Sequence, residues 1–172
     1  MLYYLRQDLI QVFKYVPFLL AISGCLILIV KWVNDRRSRQ GKDRLPFWST
    51  VCFFSFLSVI LMITCLSREG GGAGKMDLAL GASLKINKRN DALVLENVLL
   101  FIPYGFCFCW WAKGKVLFLR SIFVGAVTSI AIELMQLVTG RGIFQLDDIV
   151  ANTLGCMVGT IMFLILRKLV KG

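Results

Sequence analysis

The sequence predicts an all-α protein, a polytopic membrane helix bundle of about five transmembrane helices. Hydrophobic residues make up 58% of the 172 residues and the mean hydropathy is +0.74, whereas soluble globular proteins are roughly 45–50% apolar. The apolar residues form five runs, each near the ~20 residues that an α-helix needs to cross a bilayer. The length has room for a single membrane domain, residues 1–172.

The five apolar runs predict five spans. They lie at about residues 13–33, 47–66, 95–112, 116–138 and 149–167. Residues 1–12 carry leucines at helical spacing between polar residues, and this pattern predicts either a short interfacial helix or a frayed end.

The basic residues predict the orientation, because Lys and Arg concentrate in the cytoplasmic connections of membrane proteins. Three basic segments alternate as such connections should: the one after span one, the one after span three and the C-terminus. Their basic residues are Arg36, Arg37, Arg39, Lys42, Arg44, Lys113, Lys115, Arg167, Lys168 and Lys171. We therefore expect a plasma-membrane protein with its N-terminus outside and its C-terminus in the cytoplasm. The 67–94 loop and the 139–148 turn would then lie outside.

Charge and missing residue types exclude several functions. The net charge of +10 suits basic loops that face an anionic cytoplasmic leaflet. The basic residues form no aromatic-interleaved patch, so we expect no nucleic-acid partner. The chain has no His, which removes His-based triads and ordinary His-ligated metal centres. Its six cysteines lie in or beside apolar runs without a CxxC pair, and we interpret them as small buried apolar residues.

A group of polar residues lies near the predicted outer surface, inside or beside the spans. It comprises Glu96, Asn97, Glu133, Gln136, Arg141, Asp147, Asp148 and Asn152. Such residues normally face the bundle interior or a wet cavity and pair with each other. Helical spacing puts Ser129 and Glu133 on one stripe of span four, and Asp148 and Asn152 on one stripe of span five. Because the connection is short, we expect the two spans to form a hairpin with these stripes facing each other.

Structural roles are alternatives for the same residues. Asp147 or Asp148 could be the N-cap of span five. Glu133 and Arg141 could form an ion pair, and Asn152 and Gln136 could make hydrogen bonds between packed helices.

Three ordered motifs resemble those of the VanZ-like family of bacterial membrane proteins, over a region of about 63–165. They are ENVLLFIPYGF (96–106), SIAIELMQL (129–137) and GRGIFQLDDIVANTLGCMVG (140–159). The segment ITCLSRE (63–69) also resembles the family's sequence before its outer loop and adds Arg68. Gln145 stands where family versions often have an acid, so the site would carry one fewer charge. The 69–90 loop also lacks an expected Pro-Phe segment.

The resemblance implies a bacterial plasma-membrane protein that works on the cell envelope. The family takes its name from a member associated with resistance to teicoplanin, a lipoglycopeptide that acts on wall precursors outside the membrane.

The first functional hypothesis is a binding protein. The outer polar cluster would hold the head group of a membrane lipid, a lipid-linked cell-wall precursor or a lipoglycopeptide. The ligand-binding residues would be Arg68, Glu96, Asn97, Gln136, Arg141 and Asn152. Of these, Arg68 and Arg141 would contact anionic or carbonyl groups.

The second hypothesis is an intramembrane enzyme acting on a lipid-linked substrate, and the third is a purely structural cluster. The catalytic residues would be Glu133, Asp147 and Asp148, one of them as general base, with Arg141 stabilising negative charge. A divalent Mg²⁺ or Ca²⁺ ion could be held by Asp147, Asp148 and Asn152, since hard ions prefer oxygen ligands. The absence of His and of an obvious nucleophile favours the binding protein over the enzyme.

Overall fold

The structure is a computed structural model that describes residues 13–66, 75–81, 88–112, 114 and 116–171. It has five helices that are long and apolar enough to cross a membrane, which confirms the predicted all-α bundle. Helix α1 spans Val16–Arg39, α2 Phe47–Leu61, α3 Lys88–Trp111, α4 Leu117–Thr139 and α5 Leu146–Lys171. A 3-10 turn (Phe13–Tyr15) precedes α1, and a π-helical turn (Met62–Leu66) extends α2. The predictions for residues 1–12 and for Arg68 lie outside the described residues.

Two helices begin earlier than the apolar runs predicted. Helix α3 begins at Lys88 instead of near residue 95, and α5 begins at Leu146 instead of near residue 149. Hydropathy detects the part of a helix that lies in hydrocarbon, so it misses polar turns that continue the helix beyond it. In consequence Glu96 and Asn97 lie about two turns inside α3.

The early start of α5 also corrects the predicted N-cap. Asp147 and Asp148 lie within the first turn of the helix, so neither of them is the residue that precedes it. Carboxylates in this turn still stabilise the helix, because they lie at the positive end of its dipole.

Successive helices cross the bundle in alternate directions and give it two distinct ends. At the end with Glu133, Asp147 and Asp148, which we call the acidic end, α2 and α4 finish and α3 and α5 begin. The opposite or basic end has the 40–46 connection, the 112–116 connection and the last turns of α5. The exposed basic side chains of Arg36, Lys42, Arg44, Arg167 and Lys168 lie at that end.

Helices α3 and α5 run parallel, and glycines bring their backbones into contact. A Cβ atom added to Gly155 would overlap the carbonyl oxygen of Val98, and one added to Gly159 would overlap that of Ile102. On the α3 side of the same contact, a Cβ atom added to Gly105 would overlap the carbonyl oxygen of Cys156 on α5. The first two contacts advance by four residues on both helices, so they define a parallel register. Residues without a Cβ atom permit this close approach in membrane bundles.

Small polar side chains join α4 to α5 deeper in the bundle. The Oγ atom of Ser121 and the Oγ1 atom of Thr160 lie 2.8 Å apart, and the Sγ atom of Cys156 lies 3.6 Å from Ser121 Oγ. Cys109 and Cys156 are buried as predicted, whereas Cys25 is exposed on α1. The prediction of uniformly buried cysteines is therefore wrong for Cys25, because α1 packs against few other residues.

Helices α1 and α2 are held more locally. Among the residues of α1, Val30 and Asn34 are the buried ones. The Nδ2 atom of Asn34 donates to the carbonyl oxygen of Leu45 at 3.1 Å, and its Oδ1 atom accepts from the Leu45 backbone N–H at 2.8 Å. Helix α2 is fixed on α3 through Phe53, whose ring stacks on Trp111 with centroids 5.2 Å apart.

The substitution Gly159→Ala tests whether the α3–α5 contact determines stability. The new methyl group would overlap backbone of Ile102, so we expect a loss of about 1–3 kcal/mol or more, as for overpacked cores. Thermal unfolding in detergent micelles measures this loss.

The matched control is Gly24→Ala, since a Cβ atom on Gly24 meets nothing within 4 Å. This variant should be as stable as the wild type or more stable by about 0.5–1 kcal/mol, because alanine is more favourable than glycine inside a helix. Equal stability of the two variants would contradict the close-contact interpretation.

Candidate functional site

The turn of residues 140–145 joins α4 to α5 at the acidic end. Gly140 has φ 66°, a left-handed conformation that glycine adopts readily after a helix. Phe144–Gln145 then forms a two-residue strand, β2, which pairs in parallel with β1, Met76–Asp77. The sequence did not predict this pairing, because strands of two residues have no detectable periodicity.

Glu133 is buried beneath this turn. Its exposed fraction is 1%, and its Oε2 atom accepts a hydrogen bond from the backbone N–H of Gln145 at 3.0 Å. Hydrogen bonds to an ionised carboxylate are stronger than neutral ones. Glu133 therefore positions β2 against the end of α4.

Asp147 holds the segment 75–81 to the start of α5. Its Oδ1 atom accepts from the backbone N–H of Gly81 at 2.7 Å, across 66 positions of the sequence. Within that segment Asp77 Oδ1 accepts from the backbone N–H of Ala79 at 3.2 Å. The carboxylate of Asp147 thus fastens a non-helical segment over the acidic end of the bundle.

Gln136 connects α4 to the π-helical turn that ends α2. Its Nε2 atom donates to the carbonyl oxygen of Thr64 at 3.1 Å, and its own backbone oxygen accepts from the Arg141 N–H at 3.1 Å. A π-helical turn interrupts the regular α-helical hydrogen-bond ladder and often occurs near functional sites. Gln136 supplies a partner for a carbonyl group in that turn.

Asn152 and Ser129 confirm that the polar stripes of α4 and α5 face each other. Asn152 is 2% exposed, and its Nδ2 atom donates to Ser129 Oγ at 2.8 Å. The Oδ1 atom of Asn152 and the Nδ2 atom of Asn97 are also buried, and neither has a hydrogen-bond partner within the described part of the chain. A buried donor on α3 and a buried acceptor on α5 therefore lack a hydrogen-bond partner among the described residues.

A small cleft opens between α3 and α5 at the acidic end. Its volume is about 40 Å³, and a cavity of roughly 10–15 Å³ on the same measure already admits one water. The cleft is lined by Asn90, Leu93, Val94, Gln145 and Asp148. Glu133 and Asp147 bind backbone N–H groups of the overlying segments, so Asp148 is the one of these three carboxylates that lines the cleft.

Of the five residues that line the cleft, Asp148 alone was a predicted site residue, and the polar residues Asn90 and Gln145 were missed. Asn90 was assigned to the outer loop, and Gln145 was noted as a departure from the family pattern. The signal for Asn90 was its distance of seven positions from Asn97, which puts both on one face of a helix. That signal depends on α3 beginning before residue 90, which hydropathy did not reveal.

The other predicted site residues are less central. Arg141 is exposed in the 140–145 turn, and Glu96 is half-buried on α3.

The Mg²⁺ or Ca²⁺ site at Asp147, Asp148 and Asn152 stays a prediction. Within the described ranges, no three Asp, Glu, His or Cys side chains gather as a metal site would require. Asp147 and Asp148 are consecutive in a helix, and such residues do not face each other.

A comparison with known families agrees with this architecture. The sequence model described as VanZ/LLP1 matches residues 18–167, a stretch that reaches from α1 to α5. It includes α1 and α2 as well as the region of about 63–165 that contains the motifs. No curated protein and no solved structure matches the chain.

The variants Asp147→Ala and Asp147→Asn test the fastening of the segment 75–81. Alanine removes the acceptor of the Gly81 N–H, and a hydrogen bond to a charged group contributes about 1.5–3 kcal/mol. We expect amide hydrogen exchange in 75–81 to accelerate about tenfold or more in the alanine variant, since about 1.4 kcal/mol corresponds to a factor of ten. Asparagine keeps an acceptor oxygen and should give a smaller increase. Unchanged exchange in Asp147→Ala would show that other contacts hold the segment.

Proposed function

We propose that this protein, which belongs to the VanZ/LLP1 family, binds the polar head group of a lipid or lipid-linked molecule at its acidic end. The chain is a bundle of five helices long and apolar enough to cross a membrane. Its lateral surface is apolar, with exposed side chains such as Leu28, Phe123 and Val138. A polar cleft at one end of such a surface lies at the depth of lipid head groups.

The observation that carries the proposal is the composition of the cleft. Asn90, Gln145 and Asp148 line it and carry amide and carboxylate groups, and Leu93 and Val94 carry apolar side chains. Amide and charged groups of this kind fix the orientation of a ligand in binding sites. Intramembrane ionisable residues likewise mark functional sites more often than structural ones.

The surroundings of the cleft support binding because they are pre-organised. Glu133 holds the backbone of Gln145, and Asp147 holds that of Gly81. Side chains that are fixed before the ligand arrives lose less conformational freedom on binding. The polar residues predicted as one ligand set thus divide into those that hold the backbone and those that face the cleft.

The orientation belongs to the proposal. The last turn of α1, the 40–46 connection and the last turns of α5 hold exposed basic residues such as Arg36, Arg44 and Arg167. Cytoplasmic segments are rich in Lys and Arg, so the basic end would face the cytoplasm. The cleft would then open towards the outer leaflet of the bacterial plasma membrane.

An outward cleft suggests what the binding achieves. Lipid-linked wall precursors present their sugars and peptides at the outer leaflet, where lipoglycopeptides such as teicoplanin act. If the protein binds these head groups, or the antibiotic itself, it would reduce susceptibility to teicoplanin-type antibiotics. The alternative of an intramembrane enzyme has less support, because Glu133 and Asp147 are engaged with backbone N–H groups, which leaves Asp148 as the candidate base among the described residues of the cleft.

The variant Asp148→Asn tests the head-group site. Wild-type protein reconstituted in nanodiscs of bacterial polar lipid should retain at least one head-group class above its bulk share after washing, as measured by mass spectrometry. Loss of the carboxylate from the cleft should reduce this enrichment severalfold. The control Asp43→Asn removes an exposed carboxylate at the basic end and should leave it unchanged. Absence of any enrichment in the wild type would refute the proposal.

Antibiotic susceptibility tests the cellular consequence. Expression of the wild-type protein in a susceptible bacterium should raise the inhibitory concentration of teicoplanin at least severalfold. Asp148→Asn should abolish the increase, and Asp43→Asn should preserve it, at equal amounts of protein in the membrane. If all three strains respond alike, the head-group site has no role in lipoglycopeptide susceptibility.

A further inference from the structure

We infer that the group recognised between α3 and α5 is a neutral hydroxyl, such as a sugar or glycerol head group carries, and not a phosphate. This inference rests on the proposed function and specifies which chemical group the site recognises. Its basis is a pair of buried amide atoms without a partner among the described residues, Asn97 Nδ2 on α3 and Asn152 Oδ1 on α5.

Both asparagines are more than nine-tenths buried. Asn97 is 7% exposed and Asn152 is 2% exposed, and no described residue bonds to Asn97 Nδ2 or Asn152 Oδ1. A buried polar atom without a partner costs free energy, more so where water cannot replace the missing bond. Most buried polar groups in folded proteins are paired. Two such atoms on facing helices therefore point to a bound group that completes them.

The helix register places this pair directly below the cleft. Asn97 follows Leu93 by four positions on α3, so it lies one turn deeper on the same face. Asn152 likewise follows the cleft residue Asp148 by four positions on α5. Below the pair, the contact of Gly155 with the carbonyl oxygen of Val98 closes the space between the helices. A ligand group would reach the pair from the acidic end, through the cleft.

The chemistry of the two atoms selects the group. Asn97 Nδ2 requires an acceptor, and Asn152 Oδ1 requires a donor. A hydroxyl is both at once, whereas phosphate oxygens are acceptors and an ammonium group only donates. In the orientation in which Asn152 Nδ2 donates to Ser129 Oγ, the atom that Asn152 leaves without a partner is its acceptor Oδ1.

Charge favours the same choice. Asp148 lines the cleft above the pair, and a carboxylate there opposes the approach of an anion. A glycosyl or glycerol group does not meet this repulsion.

A competition between two lipids with the same acyl chains tests the inference. The full-length protein is placed in dioleoyl-phosphatidylcholine nanodiscs with equal amounts of glucosyl-dioleoylglycerol and dioleoyl-phosphatidic acid. Lipid retained by the protein is quantified by native mass spectrometry. We expect the wild type to retain the glucosyl lipid about tenfold over the phosphatidic acid, the effect of roughly one additional hydrogen bond.

The variant Asn97→Leu removes the unused donor and should abolish this preference. It should also unfold at the same temperature as the wild type or a higher one, because it eliminates a buried atom without a partner. A merely structural asparagine would instead lower the unfolding temperature. The matched control Asn34→Leu makes the same replacement at the basic end, where Asn34 forms hydrogen bonds with Leu45. This variant should keep the preference.

The possible failures are distinct. Equal retention of both lipids, a preference for phosphatidic acid, or a glucosyl preference that survives Asn97→Leu would overturn the hydroxyl inference. In those cases the proposed function still stands if bacterial lipid is enriched in an Asp148-dependent way. If no head-group class is enriched from bacterial lipid, the proposed function itself fails.

Discussion

The backbone contact between α3 and α5 is the constraint on which the rest of the structure depends. Lipid chains are as apolar as the helix surfaces, so helices associate in a membrane through close packing and hydrogen bonds and not through burial of apolar area. Gly155 and Gly159 allow the carbonyl groups of α3 to touch α5. The resulting parallel register brings Asn90 and Asp148 to one cleft and puts Asn97 and Asn152 one turn deeper on their helices, while α4 packs along α5 through Ser129.

The acidic end meets a second constraint, the need to satisfy backbone groups that are not helical. Irregular backbone at the membrane surface requires internal partners where water is scarce. Glu133 serves the N–H of Gln145, Asp147 that of Gly81, and Gln136 the carbonyl group of Thr64. These contacts explain why so many polar side chains occur at one end of an apolar bundle. They also separate residues that hold the backbone from Asp148, which faces the cleft.

Much of the bundle and part of the site followed from the sequence. The lengths of the apolar runs predicted five spans, and the four-residue spacing of Ser129, Glu133, Asp148 and Asn152 predicted facing stripes, which the Asn152–Ser129 hydrogen bond confirms. The starts of α3 and α5 were predicted too late, because their first turns are polar. That error hid Asn90 and assigned the two aspartates to a turn instead of to a helix.

What the sequence determined by itself is the class of structure and the end at which its polar residues gather. Both follow from local physics: a chain in hydrocarbon must satisfy its backbone within helices, and the helical period assigns side chains to faces. Only the tertiary structure decided what each carboxylate does. Asp147 and Asp148 are neighbours in sequence, yet one bonds to Gly81, 66 positions away, and the other lines a cleft with α3. Those partners come from segments distant in the chain, so no local pattern encodes them.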